Sequence, residues 1–543
     1  SDYVANGPLV NNRGCPMQDE SNRSYLYVVV FFSGLTTLAV ELSASRLLGA
    51  VFGTSNLVWA NIIGLMLLYL TVGYFVGGRL ADRYPHRKTL YTILLWAAFL
   101  CALIPLIARP ILYAAAKAFA SFEAALTLGS FAAVIFLFAI PVTMMGMTSP
   151  FAIRLATTNV ENSGRISGQI YALSTVGSLL GTFLPTLVLF DRVGTALTFL
   201  IVAGVLFLVT WIGLWQVIGL RRASKFLWMP IVIAVLAVVT LNGPVRPAPF
   251  GEEILFEAES SYNYIQVTQD EAGYRYLYLN EGQGIHSQWH PTQILYGRTW
   301  DYFLIAPYFN ADFQLEDMQS MLVIGLATGT IARQHAAVYG NDLQIDGVEI
   351  DPEIIEAGER YFDMNREAMP GLTSYAQDGR YVLNQLDGPY TVIGVDAYRP
   401  PYIPWHLTTI EFFQEIYDKL ADNGVLVINV GRTNTDRRLV DALSNTLSYV
   451  FADIHAMDVP SSFNTILVAT RQPTASMTLI ENSQRIDPDV YPLLSQALGL
   501  ASQSLVSVNR NDIVFTDDKA PVESLVDSIV LNFLLGGGVE DLR

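Results

Sequence analysis

A glycine-rich turn followed by an acidic pair is the clearest chemical pattern in this sequence. The turn follows MLVIG, an apolar run typical of a buried parallel strand. Gly325 and Gly329, with Thr328 between them, allow a tight turn and close approach of the backbone to a ligand. The next strand, LQIDGVEID, ends on Glu349 and Asp351. A carboxylate about 20 residues past the glycines binds the ribose diol in doubly wound sheets, so a nucleoside site is predicted. A turn without a ligand is the alternative interpretation.

Two further acids are predicted to lie at strand ends. Asp378 and Gly379 follow the strand-like residues 373–376, and Asp396 ends the apolar run TVIGVD. Ligands bind beyond the carboxyl ends of parallel strands, so these residues and Glu349 should share one crevice. We expect Glu349 to bind the ribose hydroxyls, Asp378 and Gly379 the adenine edge, and Asp396 to deprotonate an attacking amine. For each acid alone, a helix cap or a surface charge is the alternative interpretation.

The elements that must position these residues form an α/β domain preceded by a small sheet. Residues 243–253 are rich in proline and predict a linker. Within residues 254–300, the stretches 254–268 and 274–279 alternate with a period of two, which predicts a β-hairpin or small sheet for this region. Residues 301–543 alternate apolar strand runs with helical segments, as expected for a Rossmann-like domain.

The N-terminal half has a different character. Residues 1–24 form a polar tail, and residues 25–242 contain about seven apolar runs long enough to span a bilayer. The sequence therefore predicts a multi-pass helical domain in the cell membrane, with the lipid bilayer as a partner. The predicted spans are 25–49, 56–78, 89–108, 124–147, 168–190, 195–219 and 226–242.

Composition and charge agree with this division. The chain is 52% hydrophobic and 15% charged, which is too apolar for one soluble enzyme. Residues 1–242 carry 15 Lys and Arg against 8 Asp and Glu, whereas residues 243–543 carry 17 against 41. The acidic half argues against nucleic acid as a partner and is compatible with a polyamine or another small amine, or simply with a solvated surface. Two distant cysteines, Cys15 and Cys101, indicate neither a disulfide framework nor a metal site.

The distribution of Lys and Arg between loops predicts the orientation. Nine of these residues follow the even-numbered spans and three follow the odd-numbered ones, so the first group should be cytoplasmic. Seven spans then put the C-terminal domain outside the cytoplasm. One span more or fewer would return it to the cytoplasm. The nine are Arg79, Arg83, Arg87, Lys88, Arg154, Arg165, Arg221, Arg222 and Lys225; the three are Arg109, Lys117 and Arg192.

The C-terminal half resembles the spermidine synthase (polyamine aminopropyltransferase) family. The matching stretches, in order, are SYNYI (261–265), LYLNEGQG, the glycine turn, VEIDP (348–352), QDGR (377–380) and VDAY (395–398). The N-terminal half is similar to the transporter-like segment fused to such domains in bacterial proteins. The stretches there are GLTTLAVELSASRLLG, GGRLADR, GMTSPFAIR and GRISGQIYALSTVGSLLGT, with FTDDKAPVE (515–523) late in the chain.

This resemblance implies a class I methyltransferase-like Rossmann domain that uses decarboxylated S-adenosylmethionine or S-adenosylmethionine as donor, without a metal. The expected activity is transfer of an aminopropyl or other alkyl group to an amine, with Asp396 as base, in a homo-oligomer or membrane complex. The implied donor-binding residues are Gly325, Thr328, Gly329, Glu349, Asp351, Asp378, Gly379 and Asn263; the implied acceptor-side residues are Tyr398, Arg399, Trp300, Asp301 and Gln283.

The sequence departs from the family pattern on the amine side. Thr328 stands where the family usually has an acid that binds the donor's amine. Arg399 replaces the second acid of the family's Asp-Ser-Ser-Asp-Pro loop, either as a salt-bridge partner or to recognise an anionic group. Three hypotheses therefore compete with polyamine synthesis: a changed donor or acceptor, such as methyl transfer; a catalytically degenerate binding, assembly or interaction module on a membrane base; and solute transport by the spans.

Overall fold

The computed structural model describes residues 16–52, 56–119, 123–157, 160–241, 243–244, 246–280, 284–398 and 402–535. The chain divides into two compact units. The first contains most of the N-terminal helices. The second contains the C-terminal α/β region from Arg246 onward, together with the short stretches Gly49–Trp59 and Tyr113–Ser130.

Helices make up the N-terminal part of the described chain. Seven stretches are long and apolar enough to cross a membrane, which agrees with the seven apolar runs of the sequence. A π-helical turn, Pro185–Leu189, joins the sixth helix to the seventh. The helices are α1 Pro16–Phe52, α2 Asn56–Arg83, α3 Arg87–Phe119, α4 Glu123–Gly146, α5 Thr148–Ala156, α6 Ser163–Leu184, α7 Phe190–Ile218, α8 Leu220–Ala223 and α9 Trp228–Thr240.

Helices α1 and α6 approach each other closely through glycines. A side chain at Gly177 or Gly181 would collide with the carbonyl oxygens of Phe31 and Leu35 on α1. This G-x-x-x-G spacing places both glycines on one face of α6, which is how small residues allow close helix packing in membranes.

A four-stranded antiparallel sheet begins the second unit, with the strands in sequence order. Its first strand begins at Glu252, two residues before the predicted start of this region. The strands are β1 Glu252–Glu259, β2 Tyr264–Asp270, β3 Arg275–Leu279 and β4 Ile285–Trp289.

An eight-stranded sheet flanked by helices follows. Five neighbouring strands are parallel and the remaining three pair antiparallel at one end. The elements are β5 Ser320–Ile324, α10 Thr330–Tyr339, β6 Gln344–Glu349, α11 Pro352–Tyr361, β7 Leu372–Ala376, α12 Gly379–Gln385, β8 Tyr390–Val395, α13 Ile410–Lys419, β9 Leu420–Gly431, α14 Arg438–Leu447, β10 Asp453–Asp458, β11 Asn464–Thr470, α15 Ser476–Arg485, α16 Pro492–Gln503, β12 Leu505–Val506 and α17 Val522–Leu535.

The strand order, β12-β10-β11-β9-β8-β5-β6-β7, creates a crevice beside β5. The chain leaves β5 for β6 on one side and later returns to β8 on the other, so the strand order reverses there. Ligands bind at such a switch point, beyond the carboxyl ends of the strands. The predicted fold class, a multi-span helical region followed by a small sheet and a Rossmann-like α/β domain, is confirmed.

Candidate functional site

The glycine turn and Asp396 lie side by side at this crevice. The Asp396 amide donates a hydrogen bond to the carbonyl oxygen of Ile324, at 2.8 Å. Gly325 has φ +91°, and a Cβ there would lie 2.6 Å from the carbonyl carbon of Asp396. Glycine is therefore required for both the backbone angle and the close approach.

Glu349 is held by backbone amides at the end of β6. One carboxylate oxygen accepts the N–H of Ala327 at 3.0 Å, and the other accepts the N–H of Asp351 at 3.2 Å. A carboxylate has about four lone-pair sites, so backbone amides do not use all of them and a ribose hydroxyl can still be accepted. Its side chain is 9% exposed, and this burial raises the pKa of Glu349 to about 7.

Asp351 and Asn263 connect the small sheet to α11. Asp351 caps α11 by accepting the Glu353 amide at 3.1 Å, and its second oxygen accepts Ser260 and the side chain of Asn263. The carbonyl oxygen of the Asn263 side chain accepts Asn280 at 2.8 Å. The side chains of both predicted donor-binding residues thus form hydrogen bonds to other protein groups, and Asp351 is fully buried.

Asp378 caps the helix that begins at Gly379. Its Oδ1 accepts the Tyr381 amide at 3.0 Å, and its Oδ2 accepts Nε2–H of His406 at 3.0 Å. A side chain at Gly379 would collide with Ile324 at the end of β5. The packing of Gly379 therefore brings the Asp378 carboxylate to the same edge of the sheet as Glu349.

Asp396 as a whole residue is partly buried, and its carboxyl group is desolvated. Desolvation raises its pKa to about 7, and hydrogen bonds from Asn429 and Trp300 oppose part of that rise. The Asn429 amide donates to Asp396 Oδ1 at 2.8 Å. A carboxyl group with this pKa is suited to general base catalysis near neutral pH.

The acceptor-side residues divide into three groups. Trp300 contacts Asp396, and Tyr398 donates its hydroxyl to the backbone oxygen of Asn429 at 3.0 Å. Asp301 is 2% exposed and accepts backbone amides and the side chain of Gln334, so the protein itself satisfies its oxygens. Gln283 and Arg399 lie outside the described residues.

Thr328 is buried within the glycine turn. Its amide donates to Ser287 on β4 at 3.2 Å. Its hydroxyl has no hydrogen-bond partner among the described residues, although the side chain is only 2% exposed. An unsatisfied buried hydroxyl costs free energy, which makes it a position where a ligand group would be stabilising.

Reasoning from the sequence missed the residues that support Asp396 and Asp378. Asn429 donates to Asp396, and Asn464 in turn donates to the side-chain oxygen of Asn429 at 2.9 Å. The signal for Asn429 was available, because it is a lone amide in the apolar strand VLVINV. His406 pairs with Asp378. The described residues contain no group of three or more His, Cys, Asp or Glu that could hold a metal ion.

Comparisons with known proteins agree with this architecture. The family model described as "Spermine/spermidine synthase domain" matches residues 311–477. A probable polyamine aminopropyl transferase of Bifidobacterium longum is 32% identical over 321 residues, which cover 55% of this chain and 70% of the relative. Polyamine aminopropyltransferase 2 of Aquifex aeolicus is 24% identical over 435 residues, 78% of this chain and 82% of the relative, so the match extends into the helical half.

A solved structure is also similar. The probable spermidine synthase from Corynebacterium glutamicum shares 20% identity with this chain at a TM-score of 0.38, covering 48% of this chain and 98% of that one. The family assignment rests on the relative from Bifidobacterium, because its identity to this chain and the covered share of its length are both high enough. The chain belongs to the spermine/spermidine synthase family, as its motifs predict.

Proposed function

We propose that this protein is a membrane-anchored alkyltransferase that moves an aminopropyl or related group from an S-adenosylmethionine-type donor to an amine. The observation that carries the proposal is the position of Asp396, a partly buried carboxyl with a pKa of about 7 beside the glycine turn. The family's relatives named as aminopropyltransferases support the same reaction class.

The crevice fits a nucleoside donor. The backbone amides leave acceptor capacity on Glu349 for a ribose hydroxyl, and each oxygen of Asp378 has capacity for an exocyclic amine. The absence of a side chain at Gly325 lets the glycine turn lie directly against the Asp396 backbone. The Thr328 hydroxyl is buried and has no partner among the described residues, so a contact with the donor's tail would satisfy it. Either S-adenosylmethionine or its decarboxylated form has the nucleoside that these residues would bind.

The donor supplies a carbon already activated by a sulfonium leaving group, so the protein must align the acceptor and remove its proton. As the acceptor amine forms the new C–N bond, the C–S bond breaks and its electron pair stays on sulfur. The amine's proton goes to the Asp396 carboxylate. Asn429 and Trp300 hold that carboxylate in place during the transfer.

The helical unit would anchor this reaction at a membrane. Its seven long apolar stretches support a multi-pass arrangement. Protease accessibility or tag labelling on intact cells places the α/β domain. With seven spans, the distribution of Lys and Arg predicts that the domain lies outside the cytoplasm.

Calorimetry on the full chain tests the donor site. We expect binding of methylthioadenosine and of either S-adenosylmethionine or its decarboxylated form, followed by turnover with putrescine or another small amine. The variant Asp396→Asn removes the proposed base. Asp418→Asn is its control, because it removes the same charge from an exposed position on α13. No binding by any of the three nucleosides would exclude the alkyltransferase.

A second candidate is a catalytically silent binding or assembly module. Thr328 favours it, because a neutral side chain stands where the family usually has the acid that binds the donor's amine. Nucleoside binding without turnover on any amine, together with an α/β domain outside the cytoplasm, would support the module.

A further inference from the structure

The stretch FTDDKAPVE, which the proposed chemistry does not use, begins with a loop that docks on the start of α13. The carbonyl oxygen of Phe515 accepts the Ile410 amide at 3.0 Å. Asp517 accepts the Thr409 hydroxyl at 2.7 Å, and its own amide donates to Glu411 at 3.0 Å. The loop is therefore fixed at a helix end that lies close in the chain to His406.

Arg380 connects this loop to the QDGR motif. Its guanidinium donates two hydrogen bonds to Asp517, both at 2.8 Å, and two to Glu415, at 2.6 and 2.9 Å. The same guanidinium donates to the backbone oxygen of His406 at 3.1 Å. These bonds raise the pKa of Arg380 and lower that of Asp517, as expected for a fork-shaped ion pair.

His406 in turn contacts Asp378, the acid that would bind the nucleobase. Its Nε2–H donates to Asp378 Oδ2 at 3.0 Å, while the Tyr381 amide occupies one site on Oδ1. Two exposed aromatic rings lie near this pair in the sequence: Trp405 precedes His406, and Tyr381 follows Asp378 by three residues. The Trp405 ring contacts the His406 ring edge-on. The orientation of Asp378 thus depends on the backbone position of His406.

We propose that Asp517 is a positioning residue for nucleobase recognition, acting through Arg380 and His406 on Asp378. This inference rests on the proposed function, because it assumes that Asp378 binds the exocyclic amine of adenine. Asp378 has only acceptors, so it should favour adenine, whose exocyclic group donates, over hypoxanthine, whose carbonyl oxygen at the same place accepts.

The test compares methylthioadenosine with methylthioinosine by calorimetry on the full-length protein. The wild type should prefer the adenine compound, and Asp517→Asn should reduce that preference by about tenfold, the order expected when hydrogen bonds to a charged group are weakened. Asp312→Asn is the matched control, because it breaks an ion pair with Arg485 elsewhere in the domain and should leave the preference unchanged.

Two further variants test the route of the effect. Arg380→Lys keeps the charge but loses the fork, so it should also reduce the preference for adenine. The double variant Asp517→Asn with Arg380→Lys should be no worse than Arg380→Lys alone.

The possible results separate this inference from the proposed function. A purely structural ion pair would lower the unfolding temperature of Asp517→Asn without changing the preference between the bases, and that result would overturn the inference. If Asp517→Asn does not fold, an unchanged preference in Arg380→Lys has the same meaning. A wild type that binds neither nucleoside refutes the proposed function instead.

Discussion

The nucleoside half and the amine half of the crevice are built in different ways. Backbone amides of the adjacent turn or helix hold the carboxylates of Glu349 and Asp378, and the His406 side chain donates a further hydrogen bond to Asp378. Side chains hold Asp396, through Asn429 and Trp300. On the amine side, Thr328 presents a hydroxyl without a partner in the described chain.

This difference indicates which half can change its substrate. Backbone amides move only when the fold moves, so the Rossmann architecture itself fixes Glu349 and one oxygen of Asp378. Replacing the Asn429 side chain removes no backbone hydrogen bond, whereas Trp300 is buried in the hydrophobic core. Changes of donor or acceptor within the family should therefore concentrate on the amine half.

The largest expected effect is the loss of turnover in Asp396→Asn. An asparagine cannot accept the amine's proton, so the rate should fall by about 10²–10⁴-fold, the usual contribution of a general base. The affinity for methylthioadenosine should change less than about twofold, because no nucleoside contact is removed. Steady-state kinetics and calorimetry measure the two quantities, and an active Asp396→Asn enzyme would remove the assignment of the base.

Glu349→Gln should have the next largest effect, on nucleoside affinity. One oxygen becomes an NH₂ group, which accepts neither a backbone amide nor a ribose hydroxyl, so binding should weaken by about 10–100-fold. The preference for methylthioadenosine over its 2′-deoxy analogue should shrink at the same time. An unchanged preference between the two sugars would show that Glu349 does not bind the ribose.

The sequence indicates the placement of Glu349 and Asp378 at the sheet edge more directly than the side chains that support Asp396. Glu349 and Asp378 follow strand-like runs, and local rules place such acids at one edge of a parallel sheet. The fold class was predictable for the same reason, because apolar periodicity reports strands and spans directly. Asn429 is separated from Asp396 by 33 residues, and its role depends on β8 and β9 being neighbours. No local pattern contains that pairing.

Asp351 is a second position where long-range contacts decide the role of a residue. Its place after β6 predicted a donor-binding acid, but its oxygens are used by Glu353, Ser260 and Asn263. The contact with Ser260 spans 91 residues and depends on the packing of the small sheet. Sequence spacing alone could not separate an acid that points into the crevice from one that connects two sheets.

The pH dependence of turnover tests the role of Asp396, the carboxyl group of the amine half. The pKa of Asp396 is raised to about 7, and the active base is the deprotonated form, so turnover at saturating donor should be highest above pH 7. It should fall by about tenfold for each pH unit well below that value. A raised folded-state pKa also means that stability is lost as pH rises through 7, so Asp396→Asn should raise the unfolding temperature at pH 8. A flat rate profile between pH 5 and 8 contradicts this assignment.

Thr328→Val tests whether the neutral Thr328 hydroxyl, in the amine half of the crevice, binds the donor. The hydroxyl has no partner in the described residues, so its removal should leave the free energy of unfolding unchanged or increase it by about 1 kcal/mol. If the donor's tail binds this hydroxyl, affinity for the donor should drop by about three- to tenfold while methylthioadenosine affinity stays constant. Equal losses for both ligands would mean that Thr328 only shapes the turn.

Asn429→Leu should produce the smallest effect, which is a shift in the pH profile. The Asn429 amide stabilises the ionised form of Asp396, so its removal should raise the pKa of that carboxyl by about one unit. At pH 8 the rate would then change little, whereas at pH 7 it would fall measurably. Asn464→Ala, one hydrogen bond further from the carboxyl, is the graded control and should shift the midpoint less. Equal shifts in the two variants would indicate that the amides act through the packing of β9 rather than through the charge on Asp396.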